Sequence, residues 1–400
     1  MKNLVTFFIF FFLCGTLVAQ TENYWTKKAD FGGLKRERAV GFTIGEKGYI
    51  ATGVDTAEFV LNDLWEYEPL TDSWTQKADL PGEARRNAVA FVIGSKAYIG
   101  TGMNNANANL GNTLSDIWEY TPATNTWVQK ANYPSIPIYF GTAFSIDSRG
   151  YICGGKKGPN WYTAELWEYN PATDSWAQQS SFPAGVRYQL GSFVVGNSAY
   201  IGLGTDQDMY RKDIWEYKPA LDLWTEKADL PGSERASSHL FGIGTRGYVC
   251  MGSNGGNLDD LWEYNPLDNT WSSKATYGGS ARKNGATFVV YGKAFLGTGK
   301  GNSGKKQSMW EYSPGAYVGL AEHAETDITI FPNPATDNIN VQVNSAKIER
   351  YDIFTLQGTH VLSSPFAASI SINELSSGVY LLVGKNSSGQ ILGKEKLIIR

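Results

Sequence analysis

The tripeptide Trp-Glu-Tyr occurs six times in this chain of 400 residues, at intervals of 47 to 53 residues. A period near 50 residues is typical of propellers and solenoids, in which each copy needs its neighbours for stability. The repeat therefore predicts a fold assembled from six similar parts. The copies begin at Trp65, Trp118, Trp167, Trp215, Trp262 and Trp310 and define repeats 1 to 6.

A second tryptophan follows nine residues after the first in five of the repeats, whereas the sixth has Gly319 at that place. The missing tryptophan has a counterpart at the other end of the chain, where the sequence around Trp25 resembles that around Trp74. We therefore expect the N-terminal strand, within residues 22–31, to complete the sixth repeat and close a ring. Each repeat also contains a short apolar run that ends in glycine and reads as a strand, for example Tyr49 to Gly53.

An apolar strand ending in glycine, then a tyrosine and a tryptophan seven positions later, resembles the pattern of kelch repeats. Tyr67 and Trp74 show this spacing, as do the equivalent residues of the next repeats. Only Gly154 and Gly155 keep the paired glycines of the family. The resemblance implies an all-β fold, a six-bladed kelch-type β-propeller with four antiparallel strands in each blade, over residues 20–317.

Residues 1–19 have the layout of a secretory signal peptide, with Lys2, an apolar stretch from Leu4 to Leu13 and a small residue at Ala19. The apolar stretch is too short to span a membrane, and no other segment qualifies. Charged residues make up 18% of the chain and the net charge is −4, without a basic block, so nucleic acid is not expected as a partner. The sequence predicts a secreted or surface protein.

Past a predicted linker at residues 318–327, residues 328–400 show short alternating strands that predict a small C-terminal β-sandwich. This segment resembles the C-terminal sorting domain of the type IX secretion system. The resemblance rests on Phe331-Pro332-Asn333-Pro334, Tyr351-Asp352-Ile353-Phe354, Leu375-Ser376-Ser377-Gly378-Val379-Tyr380 and Lys394-Glu395-Lys396-Leu397-Ile398-Ile399. It implies the type IX secretion machinery as a partner and an extracellular or outer-membrane surface location.

Five arginines occupy one position of the repeat, thirteen residues before the first aromatic residue of the apolar run, and Ile138 stands there in repeat 3. A ring of guanidinium groups at a channel mouth would suit a carboxylate, sulfate or phosphate. The alternative is that each arginine pairs with the acid two residues before Trp-Glu-Tyr, although Glu165 then lacks an arginine and Arg282 lacks an acid. The candidates are Arg36, Arg85, Arg187, Arg235 and Arg282.

Trp161 and Tyr162 depart from the repeat and are further ligand-binding candidates, since adjacent aromatic residues in a loop can stack on a sugar or contact a protein. They could equally cover their own blade. Cys153 and Cys250 occupy equivalent positions in repeats that are not neighbours, so we expect buried free thiols rather than a disulfide.

No catalytic signature is present: the three histidines lie in different parts of the chain, and neither a metal site nor a cofactor is predicted. Asp206 and Asp208 are at most a weak calcium signal. The sequence favours a binding protein for a glycan or a protein. An alternative is an enzyme similar to the kelch sialic acid mutarotases (N-acetylneuraminate epimerases), with an acid such as Glu58, Asp206 or Asp208, and a third is a purely structural surface protein.

Overall fold

The computed structural model describes residues 23–105, 112–207, 209–314, 328–343, 348–355, 360–385 and 391–400. The predicted signal peptide and linker lie outside these ranges. The chain divides into two compact regions, Met1–Gly315 and Ala316–Arg400. Within the described ranges the secondary structure is β, apart from 3-10 structure at Pro219–Leu221 and at Asn112, so the all-β prediction is confirmed.

The N-terminal region contains six four-stranded antiparallel sheets, sheets 1 to 6, one for each repeat. The chain begins with β1 (Tyr24–Lys28) and β2 (Arg36–Glu37), and sheet 1 follows with β3 (Val40–Ile44), β4 (Lys47–Ala51), β6 (Leu64–Glu68) and β7 (Ser73–Lys77), while β5 (Val54–Asp55) pairs with β2. Sheet 2 consists of β8 (Val89–Ile93), β9 (Lys96–Gly100), β10 (Ile117–Thr121) and β11 (Thr126–Lys130). Sheet 3 consists of β12 (Thr142–Ile146), β13 (Arg149–Gly158), β14 (Trp161–Asn170) and β15 (Ser175–Gln179).

The remaining sheets follow the same order of strands. Sheet 4 consists of β16 (Gly191–Val195), β17 (Ser198–Gly202), β20 (Ile214–Lys218) and β21 (Leu223–Lys227), with β18 (Thr205–Asp206) and β19 (Met209–Tyr210) between its middle strands. Sheet 5 consists of β22 (His239–Ile243), β23 (Arg246–Ser253), β24 (Asn257–Asn265) and β25 (Thr270–Ser273). Sheet 6 contains β27 (Ala286–Val290), β28 (Lys293–Gly297), β31 (Met309–Ser313) and β1, and the short β26 (Arg282–Lys283), β29 (Lys300–Gly301) and β30 (Gly304–Lys305) form a separate sheet.

The N-terminal strand completes sheet 6, as the sequence predicts. β1 pairs antiparallel with β31 and places Trp25 opposite Tyr312. Asn23 accepts hydrogen bonds from the Tyr312 hydroxyl (2.8 Å) and from the backbone N–H of Ala275 (3.0 Å). Asn125 makes the same two contacts for sheet 2, with Tyr120 and Ala78. The N-terminal segment therefore supplies what a fourth strand and its turn supply within the other repeats.

Trp-Glu-Tyr recurs because each of its side chains has a hydrogen-bond partner within its repeat. In repeat 1 the Trp65 indole N–H donates to Asp63 (2.8 Å), and Glu66 accepts from the Tyr49 hydroxyl (2.6 Å). The Tyr67 hydroxyl donates to the carboxylate of Asp72, the residue just before β7 (2.6 Å). The acid before Trp-Glu-Tyr thus bonds to a side chain, and its structural role explains why it repeats.

The apolar strands stop earlier than predicted in repeats 1, 2, 4 and 6. β4 ends at Ala51 rather than Gly53, and the two residues after it, Thr52 and Gly53, have φ angles of 64° and 104°. Residues that are not glycine rarely adopt this left-handed conformation. Thr101, Leu203, Met251 and Thr298 repeat it at the place where repeat 3 has Gly154. The backbone of the glycine pair is therefore kept although its first glycine is replaced.

The C-terminal region is a smaller β structure. Its strands are β32 (Ile328–Phe331), β33 (Asn338–Val343), β34 (Arg350–Thr355), β35 (His360–Pro365), β36 (Ser369–Ser371), β37 (Gly378–Lys385) and β38 (Ile391–Ile399). They form a three-stranded sheet in the order β32-β33-β36 and a four-stranded sheet in the order β35-β34-β37-β38. One core of buried residues, including Ile339, Ile353 and Leu382, draws on both sheets. Two sheets that share a core are the arrangement expected of a β-sandwich.

Candidate ligand-binding site

The arginines singled out from the sequence are buried side chains with partners in their own repeats. All five are at most 2% exposed, and four bond to the acid before Trp-Glu-Tyr through Nη2 and Oδ2, at 2.7 to 3.1 Å. Each of the five also donates Nη1 to the carbonyl oxygen sixteen residues later. In this structure the guanidinium groups therefore bind groups of their own repeats. A ligand contact stays a prediction for these arginines, which are Arg36, Arg85, Arg187, Arg235 and Arg282.

The two repeats in which that pairing looked incomplete have substitutes. In repeat 3, Lys157 Nζ lies 2.6 Å from Glu165 Oε1 and takes the role of the missing arginine. In repeat 6, Arg282 donates to the hydroxyl of Ser308 at 3.0 Å instead of a carboxylate. Sequence spacing could not identify Lys157, because it comes from β13 rather than from the position of the arginines.

A cycle of six backbone hydrogen bonds joins the six repeats two residues after the arginine position. Each N–H in this cycle donates to the carbonyl of the equivalent residue in the preceding repeat, and Arg38 donates to Asn284 (2.7 Å) to complete it. All six residues have φ between 54° and 61°. We call them the ring residues: Arg38, Asn87, Phe140, Gln189, Ser237 and Asn284. The backbones of equivalent positions thus meet here, two residues beyond the place predicted.

Aromatic residues gather around the ring in repeats 3 and 4. The ring centroids of Phe140 and Tyr188 are 6.4 Å apart. Tyr188 stacks on Tyr162 with a centroid distance of 5.1 Å and an interplanar angle of 17°. Lys156 Nζ is 4.4 Å from the ring centroid of Tyr188 and 5.0 Å from that of Tyr162. We call Phe140, Tyr162 and Tyr188 the aromatic cluster. Tyr162, a candidate from the sequence, belongs to this cluster.

Trp161, the other candidate, lies at the end of the β13–β14 hairpin. It pairs with Gly158 and remains 57% exposed. In an antiparallel sheet with strands in sequence order, the connection between the second and third strands lies at the same ends of the strands as the connection from one sheet to the next. We call this side, on which the strand ends lie, an edge of the sheets. Trp161 is therefore on the same edge as the ring residues.

A charged cluster occupies the ring in repeats 1 and 6. Lys305 Nζ lies 2.6 Å from Glu58 Oε1 and 3.9 Å from Glu37 Oε1, and Asn284 donates to Glu37 Oε2 at 3.0 Å. The hydrogen bond from Lys305 lowers the pKa of Glu58, so this carboxylate is ionised at neutral pH. Arg38 connects the two clusters, because its guanidinium lies 5.4 Å from the ring centroid of Phe140.

Arg86 adds a second guanidinium beside Arg38. Arg86 is 6% exposed. Its pKa is lowered mainly by burial and to a smaller extent by the positive charge of Arg38. The charges of Glu58 and Glu37 act in the opposite direction. Two adjacent cations, two carboxylates and an aromatic surface therefore meet at one place around the ring.

The first strands of all six sheets line a cavity of about 200 Å³. Consecutive first strands contact one another, and β27 contacts β3. His239 lies in this lining, bonds to Thr287 through Nδ1 and is 4% exposed. Burial lowers its pKa to about 3, so the imidazole is neutral. The lining is otherwise mostly small residues and offers less chemistry than the ring.

The other polar candidates are elsewhere or outside the description. Asp206 forms an ion pair with Arg211 at 2.6 Å, and Asp208 lies outside the described residues. Within the described ranges, no group of three or more histidine, cysteine, aspartate or glutamate residues is arranged to hold a metal ion. Cys153 and Cys250 are buried free thiols, as predicted.

The C-terminal region can be identified by comparison with known families. Residues 329–400 match the family model of the secretion system C-terminal sorting domain. This region is a type IX secretion sorting domain. The match confirms the resemblance seen in the sequence, and it indicates an exported protein with a secreted or outer-membrane surface location that engages the type IX machinery.

No curated protein matches the chain in sequence. Among the described residues, none of the helical structure is long and apolar enough to cross a membrane.

Proposed function

We propose that the six sheets are the blades of a closed kelch-type propeller. Three features support this: β1 completes sheet 6, the six ring residues form a cycle of hydrogen bonds, and the first strands contact one another around one cavity. A propeller brings equivalent positions of every blade to its axis, where differences between repeats create a single site.

We further propose that this propeller is an exported glycan-binding module, displayed or released through its sorting domain. The aromatic cluster at the ring carries the proposal. Phe140 and Tyr188 are partly exposed, and the next ring residue, Gln189, bonds to the Phe140 carbonyl through its backbone N–H and carries an amide side chain. Flat aromatic rings next to amide and hydroxyl groups suit a sugar, which has an apolar face and polar edges.

Binding is favoured over catalysis because the titratable groups of the site have partners of opposite charge. Glu58 and Glu37 are paired with Lys305, and Asp206 with Arg211. The alternative, an enzyme similar to the sialic acid mutarotases, would use Glu58 as its proton-transfer group, because this carboxylate is both ionised and 58% exposed on its side chain.

A glycan array probed with the purified chain tests the binding proposal. Tyr188→Ala should weaken binding about fivefold or more, because an aromatic contact of this size contributes roughly 1–3 kcal/mol. Trp161→Ala tests whether the ligand extends to the rim. The matched control is Tyr291→Ala, since Tyr291 is 49% exposed in the β27–β28 turn, at the opposite edge of the sheets.

Each outcome has a definite meaning. Binding that is lost in Tyr188→Ala and kept in Tyr291→Ala supports the ring as the site. Equal effects of both substitutions would contradict it, and an array without any bound glycan would favour a protein partner or a structural role. Interconversion of sugar anomers by the chain, abolished in Glu58→Gln, would favour the enzyme instead.

A further inference from the structure

Cationic side chains are concentrated around the ring, although the chain carries a net charge of −4. Lys283 and Lys300 occupy opposite positions on the neighbouring strands β26 and β29. The Lys283 ammonium donates a hydrogen bond to the Ser253 hydroxyl at 3.4 Å. Arg38, Arg86, Lys156 and Lys305 complete the group. The carboxylates of Glu37 and Glu58 pair with Lys305 and Arg38 and balance only part of this charge. A positive field at a concave site attracts anions.

Arg38 is incompletely satisfied by the protein. Its Nε is buried and forms no hydrogen bond with any described residue, because Glu37 Oε2 lies 3.7 Å away, which is too far for one. A buried donor without an acceptor costs free energy unless a ligand or a solvent molecule supplies one. Arg86 directly precedes Asn87, whose N–H bonds to the Arg38 carbonyl, so its positive charge is close enough to repel that of Arg38, and a bound anion would relieve this repulsion.

The position of Arg38 relates the charge to the aromatic cluster. Its guanidinium lies against the ring of Phe140. Phe140 in turn lies near Tyr188, which stacks on Tyr162. If Arg38 held an anionic group of a sugar, the sugar ring that carries this group could therefore pack on Phe140 and Tyr188. A guanidinium fork binds the two oxygens of a carboxylate or sulfate group more specifically than a lysine does.

We propose that the glycan bound at the ring is acidic, with carboxylate or sulfate groups held by Arg38 and Arg86 while a sugar ring packs on Phe140 and Tyr188. This inference rests on the proposed glycan-binding function and adds the class of ligand. Carboxylate and sulfate present similar oxygens to the arginines, so the two sources are separated by experiment.

The test compares charged and neutral forms of the same polymers with the purified full chain by isothermal titration calorimetry. Polygalacturonate is paired with its carboxyl-reduced form, and dextran sulfate with dextran. We expect a charged polymer to bind at least about tenfold more tightly than its neutral partner, since hydrogen bonds to charged groups are the stronger ones. Which charged polymer binds then identifies carboxylate or sulfate.

Two substitutions at the ring and one control assign the effect. Arg38→Gln and Lys283→Gln should each weaken binding of the charged polymer, by about tenfold for Arg38→Gln and less for Lys283→Gln, which only reduces the field. Lys283→Gln decides the question if Arg38→Gln fails to fold. Arg149→Gln is the control, because Arg149 pairs with Glu168 at the opposite edge of sheet 3.

Equal binding of charged and neutral polymers would overturn the acidic ligand and leave glycan binding intact. Loss of affinity in Arg149→Gln equal to that in Arg38→Gln would also overturn it, because attraction would then be spread over the surface. If all four polymers and the glycan array fail to bind, the proposed function itself fails.

Discussion

Replacing Arg85 by isoleucine tests whether the buried arginines hold the repeats together. Arg85 is 0% exposed and donates to Asp116 at 2.7 Å through both Nη1 and Nη2. Burial alone would raise the pKa of Asp116, but hydrogen bonds and charge from Arg85 outweigh it and lower the pKa. Isoleucine is compatible with this backbone, because Ile138 occupies the equivalent position in repeat 3. Arg85→Ile therefore removes the partner and leaves a partly buried carboxylate.

The expected loss is about 3 kcal/mol, at the lower end of the range for one partner of a buried ion pair. The lower end applies because Asp116 is 20% exposed and keeps a hydrogen bond from the Trp118 indole (2.6 Å). For roughly 290 described residues of the N-terminal region, this corresponds to a fall in Tm of about 5 °C. Urea unfolding followed by tryptophan fluorescence measures the free energy difference directly.

The double variant Arg85→Ile with Asp116→Ser isolates the pair. Serine stands at the equivalent position in repeat 6, where Ser308 accepts from Arg282. We expect the double variant to lose about 1 kcal/mol, because the stranded carboxylate is gone. Arg149→Ile, which removes a surface ion pair, should cost no more than about 1 kcal/mol. The reasoning is refuted if Arg85→Ile costs less than that control, or if the double variant loses the sum of the two single effects.

Three further predictions concern other parts of the chain. Asn23→Ala should destabilise the N-terminal region by about 1–3 kcal/mol in urea unfolding, since two donors lose their acceptor, and Asn125→Ala should cost the same if β1 is a full fourth strand. Burial raises the pKa of Cys153 to about 12 and that of Cys250 well above its ordinary value, so in the chain from Gln20 onward a thiol reagent at pH 8 should react only at the rate of unfolding. Burial alone would raise the pKa of Asp352, but hydrogen bonds from Lys385 and Ser363 lower it to about 2; calorimetry should therefore show the sorting domain losing stability as pH falls from about 4 to 2, whereas Asp352→Asn should lack that dependence.

Part of the proposed site was visible in the sequence. Tyr162 departs from the repeat, and departures are where a symmetric fold can become specific, so this residue could be selected before its contacts were known. Arg38, Phe140 and Tyr188 were missed. Asparagine at two of the six ring positions, Asn87 and Asn284, was a usable signal, because asparagine tolerates the left-handed conformation that these positions adopt.

The sequence by itself determined the number of repeats and the sorting domain. Both are recognised from local patterns, which consist of residues at short, fixed spacings. In the repeats the same spacing recurs six times, which chance would not produce. The pairing of Trp25 with the last repeat was also predictable, because one missing tryptophan matched one additional tryptophan.

Only the tertiary structure decided which side chains meet. Lys157 replaces an arginine from a different strand, and the buried arginines bind carboxylates and carbonyls of their own repeats instead of converging. The ring residues come together because five backbone hydrogen bonds join residues that are about 50 positions apart in the chain, and a sixth joins Arg38 to Asn284 across almost the whole N-terminal region. Sequence spacing specifies which positions are equivalent, whereas the direction of each side chain follows from backbone angles and packing between repeats.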